Sequence, residues 1–221
     1  DDREILVRAE ALALANGEPG SARRFARRLR DLGGADEAML GRLVDLDLAA
    51  GDLAGALQTA ERLVSLLPAV PRFRRLVARV ADWAGRPGLG LPHWMWLARR
   101  GDGLGLAQAL RLAHALEDDA AVAELLTQKA RREPRAPAAL EELASALERL
   151  GSPDQAVAML EDAARGPAGA TAWEQLAAFH ERRRELPAAI AVRTEMARRR
   201  GPSLPGSVQL AKLAWASGRS E

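Results

Sequence analysis

The sequence predicts an all-α protein, organised as a right-handed superhelical solenoid of antiparallel helix pairs. Ala, Leu and Arg dominate the 221 residues, and all three are strong helix formers. Tyrosine is absent and β-branched residues are scarce, which argues against a sheet. A self-similar segment also recurs at intervals of 32 to 34 residues, which is the length of one helix pair with its turns.

Glycine marks the turn inside most of these segments. The repeats lie at residues 3–36, 37–70, 71–102, 103–136, 137–169 and 170–203, with a partial repeat at 204–221, in a single array over residues 1–221. Their alignment places one turn position in each, at Gly17, Gly51, Gly85, Glu117, Gly151, Arg184 and Gly218. Because glycine adopts left-handed backbone angles without a Cβ clash, its recurrence predicts a tight turn between two helices, A and B, in every repeat.

Small and apolar residues complete the pattern. A small residue follows five positions after the turn, at Ala22, Ala56, Ala156 and Ala189. Such a residue lets helix B approach helix A closely. Leucines recur at helical spacing at Leu40, Leu43, Leu143 and Leu176. This spacing predicts that they face the neighbouring helix.

Two stretches show the whole pattern, LVDLDLAAGDLAGALQTAERLVSLLP at residues 43–68 and LASALERLGSPDQAVAMLEDAARGP at residues 143–167. Trp173, Leu176 and Ala177 supply its front half in the sixth repeat. The pattern resembles the tetratricopeptide repeat, and the resemblance covers nearly the whole chain. It implies a protein-binding scaffold without catalytic machinery, in which the A helices line a concave groove.

The third and fourth repeats depart from the pattern. Residues 85–105 are rich in glycine, and Pro92 lies where helix B should run. Since proline fits the first turn of a helix but not its interior, we expect this helix to start late or to be kinked. The fourth repeat has Glu117 at its turn and no clean small residue after it.

Composition and motifs argue against an enzyme and against nucleic-acid binding. The chain has no cysteine and no phosphate-binding loop, and His93, His114 and His180 are not spaced as metal ligands. We therefore expect no catalytic residue, no metal site and no cofactor. A net charge of +2 is small for a nucleic-acid binder, and no apolar run approaches the roughly 20 residues that cross a bilayer.

The resemblance implies that positions 2, 5, 9 and 12 of each repeat, which lie on its A helix, point into the groove. These positions give a basic stripe of Arg72, Arg75, Arg79 and Arg111, and then an acidic stripe of Glu141, Glu148, Glu174 and Glu181. Trp83 and Trp215 fall near the ends of A helices and are candidate partner contacts, because aromatic residues commonly anchor interfaces. Trp94 and Trp173 occupy packing positions instead. A solvated surface with an arbitrary order of charges is the alternative interpretation.

The stretch DWAGRPGLGLPHWMWLARR at residues 82–100, in a chain of bacterial composition, is similar to the periplasmic repeat scaffolds of Pel-type exopolysaccharide export proteins of the outer membrane. This similarity implies a periplasmic location and the docking of a polysaccharide deacetylase or hydrolase. It also implies a cationic polysaccharide passing near the acidic stripe. A cytoplasmic regulatory or assembly-adaptor module is the alternative.

The end of the sequence predicts a fragment of a longer array. Residues 204–218 form an A helix with no B helix after it. We therefore expect this helix to expose apolar surface through Leu210, Leu213 and Trp215, as an uncapped repeat does.

Overall fold

The computed structural model describes residues 2–33, 36–133, 137–166, 169–201 and 203–218. These residues form thirteen α-helices, α1 to α13, and no strand. Consecutive helices pack as antiparallel pairs within two compact units, Asp1–Leu116 and Glu117–Glu221, called here the N-terminal and C-terminal units. The all-α fold class with stacked helix pairs is therefore confirmed. No helix of the described residues is long and apolar enough to span a membrane.

The N-terminal unit contains four A helices and three B helices. The A helices are α1 (Asp2–Ala15), α3 (Glu37–Ala49), α5 (Pro71–Trp83) and α7 (Gly103–Ala115). The B helices are α2 (Pro19–Gly33), α4 (Leu53–Leu66) and α6 (Pro87–Arg99). Each helix packs against the next one along the chain.

The C-terminal unit contains three B helices and three A helices. The B helices are α8 (Asp119–Arg132), α10 (Pro153–Arg165) and α12 (Leu186–Arg200). The A helices are α9 (Pro137–Arg149), α11 (Gly169–Arg182) and α13 (Leu204–Ala216). The A helices of both units start within one residue of the repeat starts that the sequence indicates. The organisation of residues 1–221 as one array stays a prediction.

All seven turn positions have left-handed backbone angles. Five of them are glycines with φ between 66° and 73°. The other two are Glu117 at φ 54° and Arg184 at φ 58°, the only non-glycine residues with positive φ in the described part of the chain. A left-handed conformation is unfavourable for a residue that carries a Cβ. The geometry of the repeat therefore imposes the turn even where the sequence lacks glycine.

The small position after the turn lies in the tightest part of each helix pair. Ala22, Ala56, Ala156 and Ala189 are completely buried. In the third repeat this position is Gly90, where a Cβ would lie 3.1 Å from the carbonyl oxygen of Ala78 on α5. The predicted packing leucines, Leu40, Leu43, Leu143 and Leu176, are all buried as well.

Pro92 lies inside α6, so the expectation of a late helix start is wrong. The helix begins at Pro87, whose fixed φ suits the first turn, and it continues through Pro92 to Arg99. Proline has no N–H to donate to the carbonyl of Gly88, four residues earlier. Both Gly88 and Pro92 are exposed, so water can replace the missing donor at little cost.

Candidate protein-binding surface

Three of the four arginines in the predicted basic stripe are held by carboxylates of the same chain. Arg72 on α5 donates to Glu37 on α3, and Arg75 donates to Asp102, the N-cap residue of α7. Nη2 of Arg111 on α7 lies 2.9 Å from Oδ2 of Asp82 on α5. These arginines connect neighbouring helices, so most of the basic stripe is already neutralised within the chain.

The carboxylate of Asp102 also starts a helix. Its Oδ1 accepts a hydrogen bond of 2.9 Å from the backbone N–H of Gly105, in the first turn of α7. This bond, followed by the contacts with Arg75, lowers the pKa of Asp102 below its usual range. Asp102 is therefore an ionised structural residue, and its partner Arg75 is occupied rather than available to a ligand.

The acidic stripe is paired in a similar way. Glu148 on α9 lies 3.2 Å from Nη1 of Arg183. Arg193 on α12 contacts both Glu174, at 3.0 Å, and Glu181, at 2.7 Å. The side chain of Arg193 is only 14% exposed, so these charge-assisted bonds hold α12 against α11.

Glu141 has the weakest contact of the acidic stripe, a distance of 3.5 Å to Nε2 of Gln175. Glu181 has a second neighbour besides Arg193, because Nε2 of Gln209 on α13 donates to its Oε2 at 2.9 Å. The stripe is thus largely a set of inter-helix contacts in the C-terminal unit. Its assignment as a partner-binding surface stays a prediction.

Arg79 and Trp83 on α5 remain as an exposed pair. The guanidinium carbon of Arg79 lies 5.0 Å from the centroid of the Trp83 ring, one helical turn away. Arg79 makes no ion pair with the described residues, and Trp83 is 53% exposed. The equivalent positions on α3 and α7 carry small side chains, Ala49 and Ala115. The pair offers an aromatic face and a cation to a partner.

The other tryptophans divide as expected between packing and exposure. Trp94 on α6 is 2% exposed, and Trp173 on α11 packs against the core of the C-terminal unit. Trp215 on α13 is 79% exposed. Leu213 is buried, so the expectation that it exposes apolar surface is wrong, whereas Leu210 is half-buried. Packing of α13 against α12 covers the leucine face and leaves the indole in solvent.

The structure contains two side-chain clusters that the repeat pattern of the sequence does not indicate. On α6, Trp96 lies beneath the guanidinium groups of Arg74 and Arg100, at 4.9 and 3.6 Å. The spacing of Trp96 and Arg100, one helical turn, was the available signal. The other cluster joins arginines of α2 to two aspartates, one of them completely buried: Arg23, Arg27, Asp47 and Asp52.

The described residues contain no group of three or more side chains placed to hold a metal ion. Nδ1 of His180 lies 2.7 Å from Oε2 of Glu185, which is itself bonded to Arg183. This contact lowers the pKa of Glu185 and ties the end of α11 to the start of α12. The contact therefore stabilises the turn between the two helices.

The family comparison covers part of the chain. Residues 137–179 match the tetratricopeptide repeat family, from α9 into α11. This match supports the tetratricopeptide-repeat architecture that the 34-residue pattern indicates. No curated protein is significantly similar to the chain.

Several solved structures are similar in fold. MamA from Desulfovibrio magneticus RS-1 is 15% identical, with 74% of this chain and 93% of that chain covered and a TM-score of 0.43. A thermophilic tetratricopeptide-repeat protein of Thermus thermophilus is 18% identical, with coverage of 96% and 99% and a TM-score of 0.34. The tetratricopeptide-repeat domain of P58(IPK) is 12% identical, with coverage of 100% and 67% and a TM-score of 0.44. At these identities the likeness concerns the fold alone.

Proposed function

We propose that the chain is a protein–protein interaction scaffold and that it contacts its partner through the exposed pair Arg79–Trp83 on α5. The observation that carries this proposal is the combination of an exposed indole with a cation that has no carboxylate partner among the described residues. The other arginines of the basic stripe hold neighbouring helices together. The pair is thus the part of the stripe available for binding.

Physical chemistry favours such a pair as an anchor. Tryptophan and arginine are the residues that most often dominate binding energy, because both bury large area on a partner. The contact with the ring also orders the Arg79 side chain before binding, which reduces the entropy lost in the complex. The indole is carried by a helix and not by a loop, so its position is defined in advance.

Site-specific crosslinking tests the proposal. A photoreactive amino acid is placed at Ala115, the exposed residue of α7 at the same repeat position as Trp83, or at Gln58, an exposed residue of α4 on the B side. We expect capture of one protein from Ala115 and none from Gln58. The captured protein is then purified and titrated against Trp83→Ala. Its dissociation constant should rise about tenfold or more, as for an anchor residue.

The control for this titration is Leu12→Ala, which removes another exposed apolar side chain of an A helix. Its effect on affinity should be less than about twofold, as expected away from an interface. Equal affinity of the wild type and Trp83→Ala, with both proteins folded, would overturn the assignment of the pair. Capture from Gln58 alone would place the binding surface on the B helices.

We propose a more specific role on the basis of sequence resemblance alone. The chain would dock a polysaccharide deacetylase or hydrolase in a Pel-type exopolysaccharide export system, in the periplasm, near a cationic polysaccharide. Titration of the purified enzyme from the same genome, in the presence and absence of the polymer, tests this role. Recovery of the native protein in the cytoplasmic fraction would instead favour a regulatory or assembly-adaptor module.

A further inference from the structure

One face of α6, together with the C-cap residue Arg100, carries a partly exposed stripe that runs from apolar to cationic. Leu89, His93, Trp96 and Arg100 follow one another at intervals of four, three and four residues, which places them on the same side of the helix. Leu89 is 43% exposed, His93 and Trp96 are half-buried, and Arg100 is exposed. We call this set the α6 stripe. It belongs to a B helix and lacks Arg79 and Trp83.

Two guanidinium groups converge on the cationic end of the α6 stripe. The guanidinium carbon of Arg100 lies 3.6 Å from the centroid of the Trp96 ring. Arg74 reaches the same ring from α5 at 4.9 Å, and its Nε donates to the carbonyl oxygen of Pro68 at 3.3 Å. The ring thus gathers two positive charges in one place and orders both side chains.

No carboxylate of the described residues neutralises this pair of arginines. The repeat at residues 71–102 contains seven arginines and two aspartates, Asp82 and Asp102. Both aspartates are bonded elsewhere, to Arg111 and to Arg75. Arg74 and Arg100 therefore keep N–H groups that are free to bond to an anion. Guanidinium groups bind carboxylates through two parallel hydrogen bonds, which makes a carboxylate the best-fitting ligand.

The middle of the α6 stripe is uncharged at neutral pH. Burial lowers the pKa of His93, and the positive charge of Arg74 lowers it further. The stripe consequently presents an apolar side chain, a neutral imidazole, an indole and a cation, and Arg74 of α5 adds a second cation at the same end. A ligand that matches this order has apolar groups at one end and carboxylates at the other.

We infer that the α6 stripe binds an acidic peptide segment of a partner protein, with apolar side chains on Leu89 and Trp96 and carboxylates on Arg74 and Arg100. The inference rests on the proposed scaffold function and adds a second contact surface to it. The apolar half of the stripe favours a peptide over nucleic acid, because α6 has no arginine or lysine between Pro87 and Ala98 for a phosphate backbone to follow.

Fluorescence anisotropy with a defined probe tests the inference. The probe is a fluorescein-labelled peptide of sequence Leu-Ala-Leu-Glu-Glu-Glu, titrated with the wild-type chain and with the double variant Arg74→Gln, Arg100→Gln. We expect the double variant to weaken binding about tenfold or more, since each lost charge-assisted bond contributes strongly. Trp96→Phe keeps an aromatic ring and should weaken binding only a few-fold.

A charge-matched control separates a specific site from general attraction. Arg28→Gln with Arg42→Gln removes two exposed arginines that make no ion pair with the described residues. This variant should bind the probe within about twofold of the wild type. Equal losses in the two double variants would overturn the site, since only net charge would then matter. Failure of the wild type to bind the probe would overturn it too.

Two further probes decide the class of ligand. A peptide with Lys in place of Glu should not bind, and a six-nucleotide thymidine oligomer should bind more weakly than the acidic peptide. Tighter binding of the oligomer, lost in Arg74→Gln, Arg100→Gln, would replace the peptide with a nucleic acid. The crosslinking experiment at Ala115 is independent of these titrations. If the α6 stripe does not bind the peptide, the crosslinking result still tests the role of Arg79 and Trp83.

Discussion

Arg75 on α5 and Asp102 at the start of α7 form an ion pair that joins two helices not adjacent in sequence. The same carboxylate accepts the backbone N–H of Gly105 and so caps α7. One residue therefore starts a helix and fixes the position of that helix against another. Similar carboxylates begin α3, α4 and α8, at Asp36, Asp52 and Asp118.

Replacement of Asp102 should separate these two roles. Asp102→Ala removes the cap and the ion pair, and we expect a loss of about 1 to 2 kcal/mol in the free energy of unfolding. Asp102→Asn keeps a good capping side chain and removes only the charge, so its loss should be below about 1 kcal/mol. Urea denaturation followed by circular dichroism measures both. Equal losses would show that the ion pair dominates.

Acid should remove the charge contribution of Asp102. The Gly105 amide, and then Arg75, lower the folded-state pKa of this carboxyl group below the unfolded value of about 3.9. The ionised group therefore contributes stability that is complete above the unfolded pKa and is lost as pH falls through the folded pKa. The stability difference between the wild type and Asp102→Asn should shrink when urea titrations are moved from pH 5 to pH 3.

Asp47 provides the opposite case. Burial raises its pKa, although Arg27 acts in the other direction. The contribution of Asp47 to the stability of the fold is thus complete at low pH, and it is lost as the pH rises through the folded-state pKa of this carboxyl group. Relative to Asp47→Asn, the wild type should gain stability as the pH falls over the same interval. A common direction for both variants would contradict the assignment of these pKa shifts.

Glycine should stabilise the two turns that lack it. Glu117→Gly and Arg184→Gly each relieve a left-handed residue that carries a Cβ. The greater freedom of glycine in the unfolded chain offsets part of this gain. We therefore expect the free energy of unfolding to rise by about 0.5 to 1 kcal/mol in each variant. Thermal unfolding monitored by circular dichroism checks the sign. Gly151→Ala at an equivalent turn should be destabilised, because alanine disfavours its φ of 73°.

Two glycines of α6 offer a matched test of close packing. A Cβ at Gly90 would lie 3.1 Å from the backbone oxygen of Ala78, whereas a Cβ at Gly88 would meet nothing within 4 Å. Gly90→Ala should therefore cost about 1 to 3 kcal/mol by forcing α6 away from α5. Gly88→Ala should be neutral or stabilising by up to about 1 kcal/mol, since alanine favours a helix. Equal effects would indicate that α5 and α6 separate easily.

The sequence was sufficient for the framework of the fold. Turn positions could be found because a left-handed residue selects glycine in five of seven repeats, and this regularity locates Glu117 and Arg184 too. The small position could be found for the same reason, since close approach of two helices admits only a short side chain. The late helix start predicted from Pro92 was wrong because an exposed proline is tolerated inside α6.

The role of the charged stripes could not be predicted from the sequence. Helical spacing indicates the side of a helix on which Arg72 or Glu181 lies, but it does not identify the side chain opposite. That partner lies on another helix, of the same repeat or of the next one, and depends on how neighbouring helices are offset. The pairing of Arg193 with two glutamates of α11 is an example, because Arg193 itself lies on the following B helix. The sequence names Arg79 and Trp83 as candidates, but Arg79 is distinguished from the other arginines of the stripe only once the ion pairs of those arginines are known.

The ion pairs between repeats have a consequence for the order of the modules. Five of them join residues 29 to 35 positions apart: Arg23–Asp52, Arg72–Glu37, Arg111–Asp82, Arg149–Asp119 and Arg183–Glu148. The arginine occupies a different repeat position in each pair, although Asp82 and Glu148 share one, so each of these junctions has its own pairing of charges. Deleting, duplicating or swapping one repeat would set unmatched charges against each other even though the helical backbone still fits. The modules are therefore not interchangeable, and an engineered rearrangement would have to rebuild the junction charges together with the helices.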